Sequence, residues 1–282
     1  MTLAPASGCL GPDPIVLTIA RCDHRLMDSH FLQPVPEVDA PGTDVGIGMV
    51  CPFDMALDRE LWRWMPWSVS LYFTRTPMPK ACTVDVEMVS ALGEHGQIAD
   101  AVRSVLGVRP AAVGYACASG SFVHGLAGAT ALSDCMRDAG APAAITTSEA
   151  LLRALDVMDL RRIAVATPYV ASLTDLLCDF LAEAGRSVVS QAGLGYDHDI
   201  WTIPYSATAD LIRAADSPDA DAIFVSCTNL PTYDILSVLE QELGKPVLSA
   251  NQVTAWATLQ DAGVADYTAE PCAAQSLFGR VA

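Results

Sequence analysis

Lysine is scarce in this chain. Lys80 and Lys245 are the only two among 16 basic residues, and the others are arginines. A pyridoxal-type Schiff base would need one of them. Lys245 sits in the turn Gly244-Lys245-Pro246 and Lys80 follows a proline-rich turn, so no lysine-bound cofactor is expected. No Cys-x-x-Cys pair occurs, which removes a zinc knuckle, and the scattered cysteine spacings do not form a disulfide framework. Apolar runs of membrane-spanning length are missing, as is a basic stretch followed by a long apolar core at the N-terminus. Gly46-Ile47-Gly48 lacks a third glycine and lies inside a strand pattern, so there is no dinucleotide fingerprint. The surroundings of Cys117 lack the GxSxG elbow of α/β-hydrolases. Positive charge is short too: the net charge of −17 argues against nucleic acid or anionic membrane as partner.

What is present is a globular composition, 51% hydrophobic and 17% charged, over a length that holds one large core or two smaller ones. Nine cysteines, an odd number, fit a reducing compartment, and the cytoplasm is the expected location. Most of them read as small buried hydrophobes. Residues 1–43 carry Pro5, Pro12, Pro14, Pro34, Pro36 and Pro41 and read as an N-terminal arm. From Val45 onward short apolar runs alternate with amphipathic stretches, the pattern of parallel strands joined by helices.

The runs fall into two series. The first opens with Val45–Cys51 and Pro52, continues through a helix near 57–62, a strand over 69–74, a helix over 84–106 and a strand over 111–116, and ends in Cys117. The second opens with Arg162–Thr167 and Pro168, continues through a helix over 171–184, a strand over 187–191, a helix over 205–215 and a strand over 222–226, and ends in Cys227. The shared order predicts an α/β protein of two pseudo-symmetric halves with parallel sheets. The expected boundaries are 44–147 plus 248–282 for the first domain and 148–247 for the second.

Ligands of parallel sheets bind beyond the carboxyl ends of the strands. Cys117 and Cys227 both close a strand and precede small polar residues, Ala118-Ser119-Gly120-Ser121 and Thr228-Asn229. A thiol before a helix N-terminus is expected to favour its thiolate. The N–H groups of Ser119, Gly120 and Ser121, with the Thr228 hydroxyl, form an expected nest for a carboxylate. Two halves packed face to face would aim both thiols into one inter-domain cleft. There they can work as acid and base, or as nucleophile and proton donor.

Gly114–Ser121, Phe224–Leu230 and Pro246–Gln252 are the stretches that resemble a known group. They are similar to the aspartate/glutamate racemase superfamily, within it to the branch of maleate cis–trans isomerases, arylmalonate decarboxylases and ectoine-utilisation proteins. The resemblance implies two Rossmann-like domains and chemistry without cofactor or metal. It assigns Cys117 as the nucleophile adding to the alkene carbon of a maleate-like substrate, Cys227 as the opposed acid/base, and Tyr169 as a carboxylate ligand. The decarboxylases keep only the second cysteine, so Cys117 argues against simple decarboxylase chemistry, while isomerases and racemases both use the pair. A two-cysteine racemase of an amino acid or derivative, and a catalytically silent protein that binds a small acid, remain as alternatives.

The chain departs from the isomerase pattern at two places. Asp54, in Pro52-Phe53-Asp54-Met55, replaces an Asn-containing loop, and His198, in Asp197-His198-Asp199, stands where a second Asn is expected. Both are candidate substrate-binding residues, together with Ser119, Gly120, Ser121, Tyr169, Thr228 and Asn229. Adjacent Asp197, His198 and Asp199 do not converge on one ion, so no metal site is expected there. Arg75 at the end of its strand is expected to pair structurally, with Asp54 as one partner. His124 reads as capping or packing, and Trp62, Trp64 and Trp67 as packing or a homo-oligomer contact.

Overall fold

A computed structural model describes residues 44–80, 83–264 and 275–279. The arm, with Cys9, Cys22, His24 and His30, lies outside the described residues, as do Cys82 and Cys272. The first half runs β1 (Val45–Cys51), α1 (Asp58–Arg63), β2 (Val69–Arg75), α2 (Val86–Leu92), α3 (His95–Val105), β3 (Ala112–Tyr115), α4 (Ala118–Phe122), α5 (Gly125–Asp138), β4 (Ala144–Thr146) and α6 (Thr147–Val157). The second runs β5 (Arg162–Tyr169), α7 (Ala171–Glu183), β6 (Ser187–Tyr196), α8 (Tyr205–Ala215), β7 (Ala222–Val225), α9 (Leu236–Leu243), β8 (Val247–Ser249) and α10 (Ala250–Asp261).

Each half builds a four-stranded sheet, in the order β2-β1-β3-β4 and β6-β5-β7-β8. Every pairing is parallel. The central strands are buried on both faces, which is why β1, β3, β5 and β7 read as unbroken apolar runs. In both sheets the chain turns to opposite sides of the opening strand, so each half has its switch point between the opening strand and the third. The two sheets are therefore copies in topology, and Cys117 and Cys227 follow equivalent strands.

Three details differ from expectation. The stretch 84–106 divides into α2 and α3 because Gly93 ends the first and Glu94 caps the second, its carboxylate accepting from the N–H groups of Gly96 and Gln97 at 2.9 Å. The fourth strands are only three residues each, too short to show a period. Strand β6 runs on to Tyr196, well beyond Gln191.

Both short strands lead into capped helices. Thr146 with Glu149, and Ser249 with Gln252, form capping boxes at the starts of α6 and α10. Strand β8 pairs with β7, so the chain leaves the second sheet at Ala250, and α10 then packs on α6, β3 and β4 of the first half. Gly114 makes that approach possible: a Cβ there would stand 2.7 Å from Thr258 Oγ1 on α10 and 3.0 Å from Met49 Sδ. No helix among the described residues is long and apolar enough to cross a membrane.

Candidate active site

The strand ends of the two switch points converge on one cavity of about 30 Å³. Pro52 and Asp54 come from the end of β1, Cys117 and Ser119 from the end of β3, Tyr169 from β5, and Cys227, Thr228 and Asn229 from the end of β7. Val84, Met88 and Leu92 form an apolar wall around α2, completed by Ile200 beyond β6. Among the described residues, no lysine, arginine or histidine lines it.

The seam between the halves holds both thiols in place. The Thr228 hydroxyl donates to Ala116 O at 3.1 Å, tying the Cys227 turn to the backbone before Cys117. Asn229 spans to the loop after β1, donating from Nδ2 to Asp54 O at 3.0 Å and accepting at Oδ1 from Ala56 N at 2.9 Å. Beneath them Phe122 of α4 meets the Tyr169 ring edge-on, centroids 6.3 Å apart. Cys227 itself has φ +89°, a region that favours glycine and costs a side chain about 1–3 kcal/mol. Surrounding bonds hold it there: Leu230 N donates to Cys227 O at 3.3 Å, and Asn251 Nδ2 donates to Thr228 O at 2.8 Å.

The family model for arylmalonate decarboxylase matches residues 93–275. The chain belongs to the arylmalonate decarboxylase family. It is 33% identical over 147 residues to arylmalonate decarboxylase from Bordetella bronchiseptica, a match covering 51% of this chain and 61% of that protein. Similarity to the maleate isomerase of Nocardia farcinica (strain IFM 10152) is 26% over 186 residues, covering 63% and 73%. A crystal structure of a liganded arylmalonate decarboxylase mutant superposes with a TM-score of 0.72 at 27% identity, covering 79% of this chain and 94% of the other. The α/β architecture of two parallel sheets is therefore the family's.

Within this family member, burial works against the thiolate that the neighbouring donors favour. Burial dominates and pushes Cys117 up to about 11 and Cys227 up to about 12, so both are thiols at neutral pH. The short helix α4 follows Cys117, but Cys227 enters a turn, with α9 starting only at Leu236. Local donors work against the burial. The Tyr115 hydroxyl, Gly120 N–H and Ser119 side chain favour the Cys117 thiolate, and Asn229 N–H with the Tyr169 hydroxyl favours that of Cys227. The Asp54 carboxylate opposes ionisation at both.

Two candidate residues stand elsewhere. Ser121 turns from the cavity: its hydroxyl donates to Ala118 O at 2.8 Å and meets Ser148 Oγ at 2.6 Å, completing the junction of α4 with α6. His198 is largely exposed and pairs with Asp197, whose carboxylate raises the imidazole pKa; the cavity side of that loop is Ile200. Gly120 does not line the cavity but touches Cys117. Arg75 pairs with Asp58 at 2.7 Å and donates to Met55 O, not to Asp54. His124 is exposed at the start of α5 without a capping bond. Trp64 is buried, whereas Trp62 and Trp67 are exposed.

Glu60 is the organising residue that sequence reasoning missed. Buried on α1, it accepts from Thr232 N at 2.9 Å, Tyr233 N at 3.1 Å and the Tyr205 hydroxyl at 2.7 Å. It thus fastens the loop that begins at Cys227 to the first half. A lone glutamate in an amphipathic helix looks like a solvated face, and only its partners from the second half reveal the role.

Proposed function

We propose that the protein is a cofactor-independent isomerase of a small carboxylic acid, working through Cys117 and Cys227. The observation that carries this reading is the placement of both thiols, from equivalent strand ends, on one cavity. Similarity to a maleate isomerase supports a maleate-like cis-dicarboxylate as substrate. The steps balance as follows. Cys117 loses its proton to solvent and its thiolate forms a C–S bond to one alkene carbon. The Cys227 S–H delivers a proton to the other carbon, which becomes tetrahedral. The C–C bond, now single, rotates. Cys227 takes a proton back from that carbon, the C–S bond breaks, and its electron pair returns to Cys117 as the trans alkene leaves.

Donors around Cys117 suit it to carry the negative charge, and the more weakly supported Cys227 suits the acid. The Ser119 and Thr228–Asn229 backbone, with Tyr169, is the proposed carboxylate grip. The test is conversion of maleate to fumarate by the purified protein beside Cys117→Ala and Cys227→Ala. Loss of activity of at least a thousandfold in each is expected; full activity in either sinks the mechanism.

Asp54 favours a second reading. A carboxylate in the cavity, with no cation lining it among the described residues, suits a substrate bearing one carboxylate and a cationic or neutral group. In a racemase one cysteine, as thiolate, would take the α-proton while the other delivers its own S–H proton to the opposite face of the same carbon. It predicts solvent deuterium at the α-carbon and loss of optical rotation, with no alkene product.

A further inference from the structure

Neither the resemblance nor the proposed chemistry above gives Tyr115 a role, yet it lies beside the thiol at the centre of both. It ends β3, two residues before Cys117 in an extended backbone, so the two side chains project to the same side. The ring is fully buried. Its hydroxyl donates to Leu92 O at 2.9 Å, one of the carbonyls left free at the C-terminus of α2. Around the same oxygen the backbone has been cleared. A Cβ on Gly120 would lie 2.6 Å from Tyr115 Oη and 3.0 Å from Cys117 Sγ. Only glycine at 120 lets the hydroxyl and the thiol share that space.

We propose that Tyr115 is a positioning residue for Cys117, whose buried hydroxyl turns from Leu92 O to the sulfur when the thiol ionises. A phenol has one proton and two lone pairs. In the resting protein its proton is engaged by Leu92 O, and the oxygen shares the space over Gly120 with the Cys117 sulfur. Once the sulfur is an anion, the same proton forms a charge-assisted bond, about twice as strong as a neutral one. Leu92 also lines the cavity, so the switch ties the charge on Cys117 to the end of the helix that forms the apolar wall. The second half has the matching pair, Tyr169 with Cys227, where the tyrosine sits on the opening strand and its hydroxyl lies 3.4 Å from Ser226 Oγ. The two thiols thus carry separate phenols, and each can be perturbed alone.

The proposal rests on the reading that Cys117 reacts as a thiolate, but its test reads the sulfur directly and needs no substrate. The rate of iodoacetamide labelling is followed at Cys117 and at Cys227 across pH, by peptide mass spectrometry, in the full chain. Tyr115→Phe is expected to slow labelling of Cys117 about three- to tenfold at a given pH, shifting its profile upward, and to leave Cys227 in place. Tyr169→Phe is expected to do the reverse. Replacing Tyr115 by 3-fluorotyrosine keeps the ring and the Leu92 bond while making a stronger donor, so the Cys117 profile is expected to move down. An unmoved Cys117 profile in both position-115 variants overturns the proposal, as does an equal shift at both thiols, which would mark a general loosening. Should Tyr115→Phe fail to fold, the fluorinated variant alone decides. Full turnover in Cys117→Ala would remove the catalytic reading and leave the labelling result standing.

Discussion

Asp54 lines the cavity, and under the proposed function its ionisation sets what the site accepts. Burial raises its pKa, with the Asn229 amide and the more distant Arg75 pulling it back. A raised folded pKa means that folding favours the protonated acid relative to the unfolded chain. The corresponding stability is full below the ordinary value of 3.8 and is lost as pH rises through the folded value. At pH 7 the carboxylate is therefore a cost, and Asp54→Asn is expected to raise the melting temperature there, with the gain vanishing toward pH 3. Melts at the two pH values check this, and an equal gain at both would refute it. The same variant removes a like charge facing a dianion, and kcat/KM for maleate is expected to rise about tenfold or more at pH 7. A fall would favour a cationic substrate group and the racemase. The thiols make a separate claim. With Cys117 pushed up to about 11, kcat/KM of Asp54→Asn should climb roughly tenfold per pH unit between 7 and 9. A plateau there would mean that the thiolate is already formed.

At the scale of elements, the parts that aim the thiols are the loops after β1, β3, β5 and β7, and Glu60 is the bolt between two of them. Glu60→Ala would leave Thr232 N and Tyr233 N buried without an acceptor, at about 1–3 kcal/mol each. It is expected to lower stability by that order and to cut kcat more than it raises KM, because the Cys227 turn loses its register. Steady-state kinetics with a denaturant titration checks both, and unchanged kcat at reduced stability would make Glu60 a purely structural bolt. These elements were unequally legible in the sequence. The paired series of strand, proline, helix and cysteine showed through because buried parallel strands are continuous apolar runs. The fourth strands did not, since three residues carry no period. Residue types also placed Cys117 and Cys227 at the strand ends, and the family resemblance added Tyr169 and Asp54. They could not show that Ser121 turns into a helix junction or that His198 faces outward, because a loop's side-chain directions depend on what the rest of the chain packs against it. Tyr115 was readable in principle: Tyr115-Ala116-Cys117 on a strand puts phenol and thiol on one face.

For the whole molecule, the decisive quantity is the sign of its field. The chain carries a net charge of −17, and among the described residues no lysine, arginine or histidine lines the cavity. A proposed anionic substrate is thus repelled at long range and held only at contact, by N–H groups and hydroxyls. Those two effects answer differently to salt. Raising ionic strength from about 0.01 M to 0.15 M shortens the screening length from ~30 Å to ~8 Å, which weakens the long-range repulsion while leaving buried hydrogen bonds almost untouched. For a dianion kcat/KM is therefore expected to rise several-fold over this range through KM or the association rate, with kcat steady. Two alkylating agents provide the control without any assumption about substrate. Iodoacetate carries a negative charge and iodoacetamide none, so the ratio of their rates at Cys117 should rise with salt by a similar factor. A cation-bearing substrate would show the opposite slope in turnover while the iodoacetate ratio kept its own. That pair of slopes separates the charge of the substrate from the charge of the protein, and a flat iodoacetate ratio would show that the field of the surface does not reach the thiols at all.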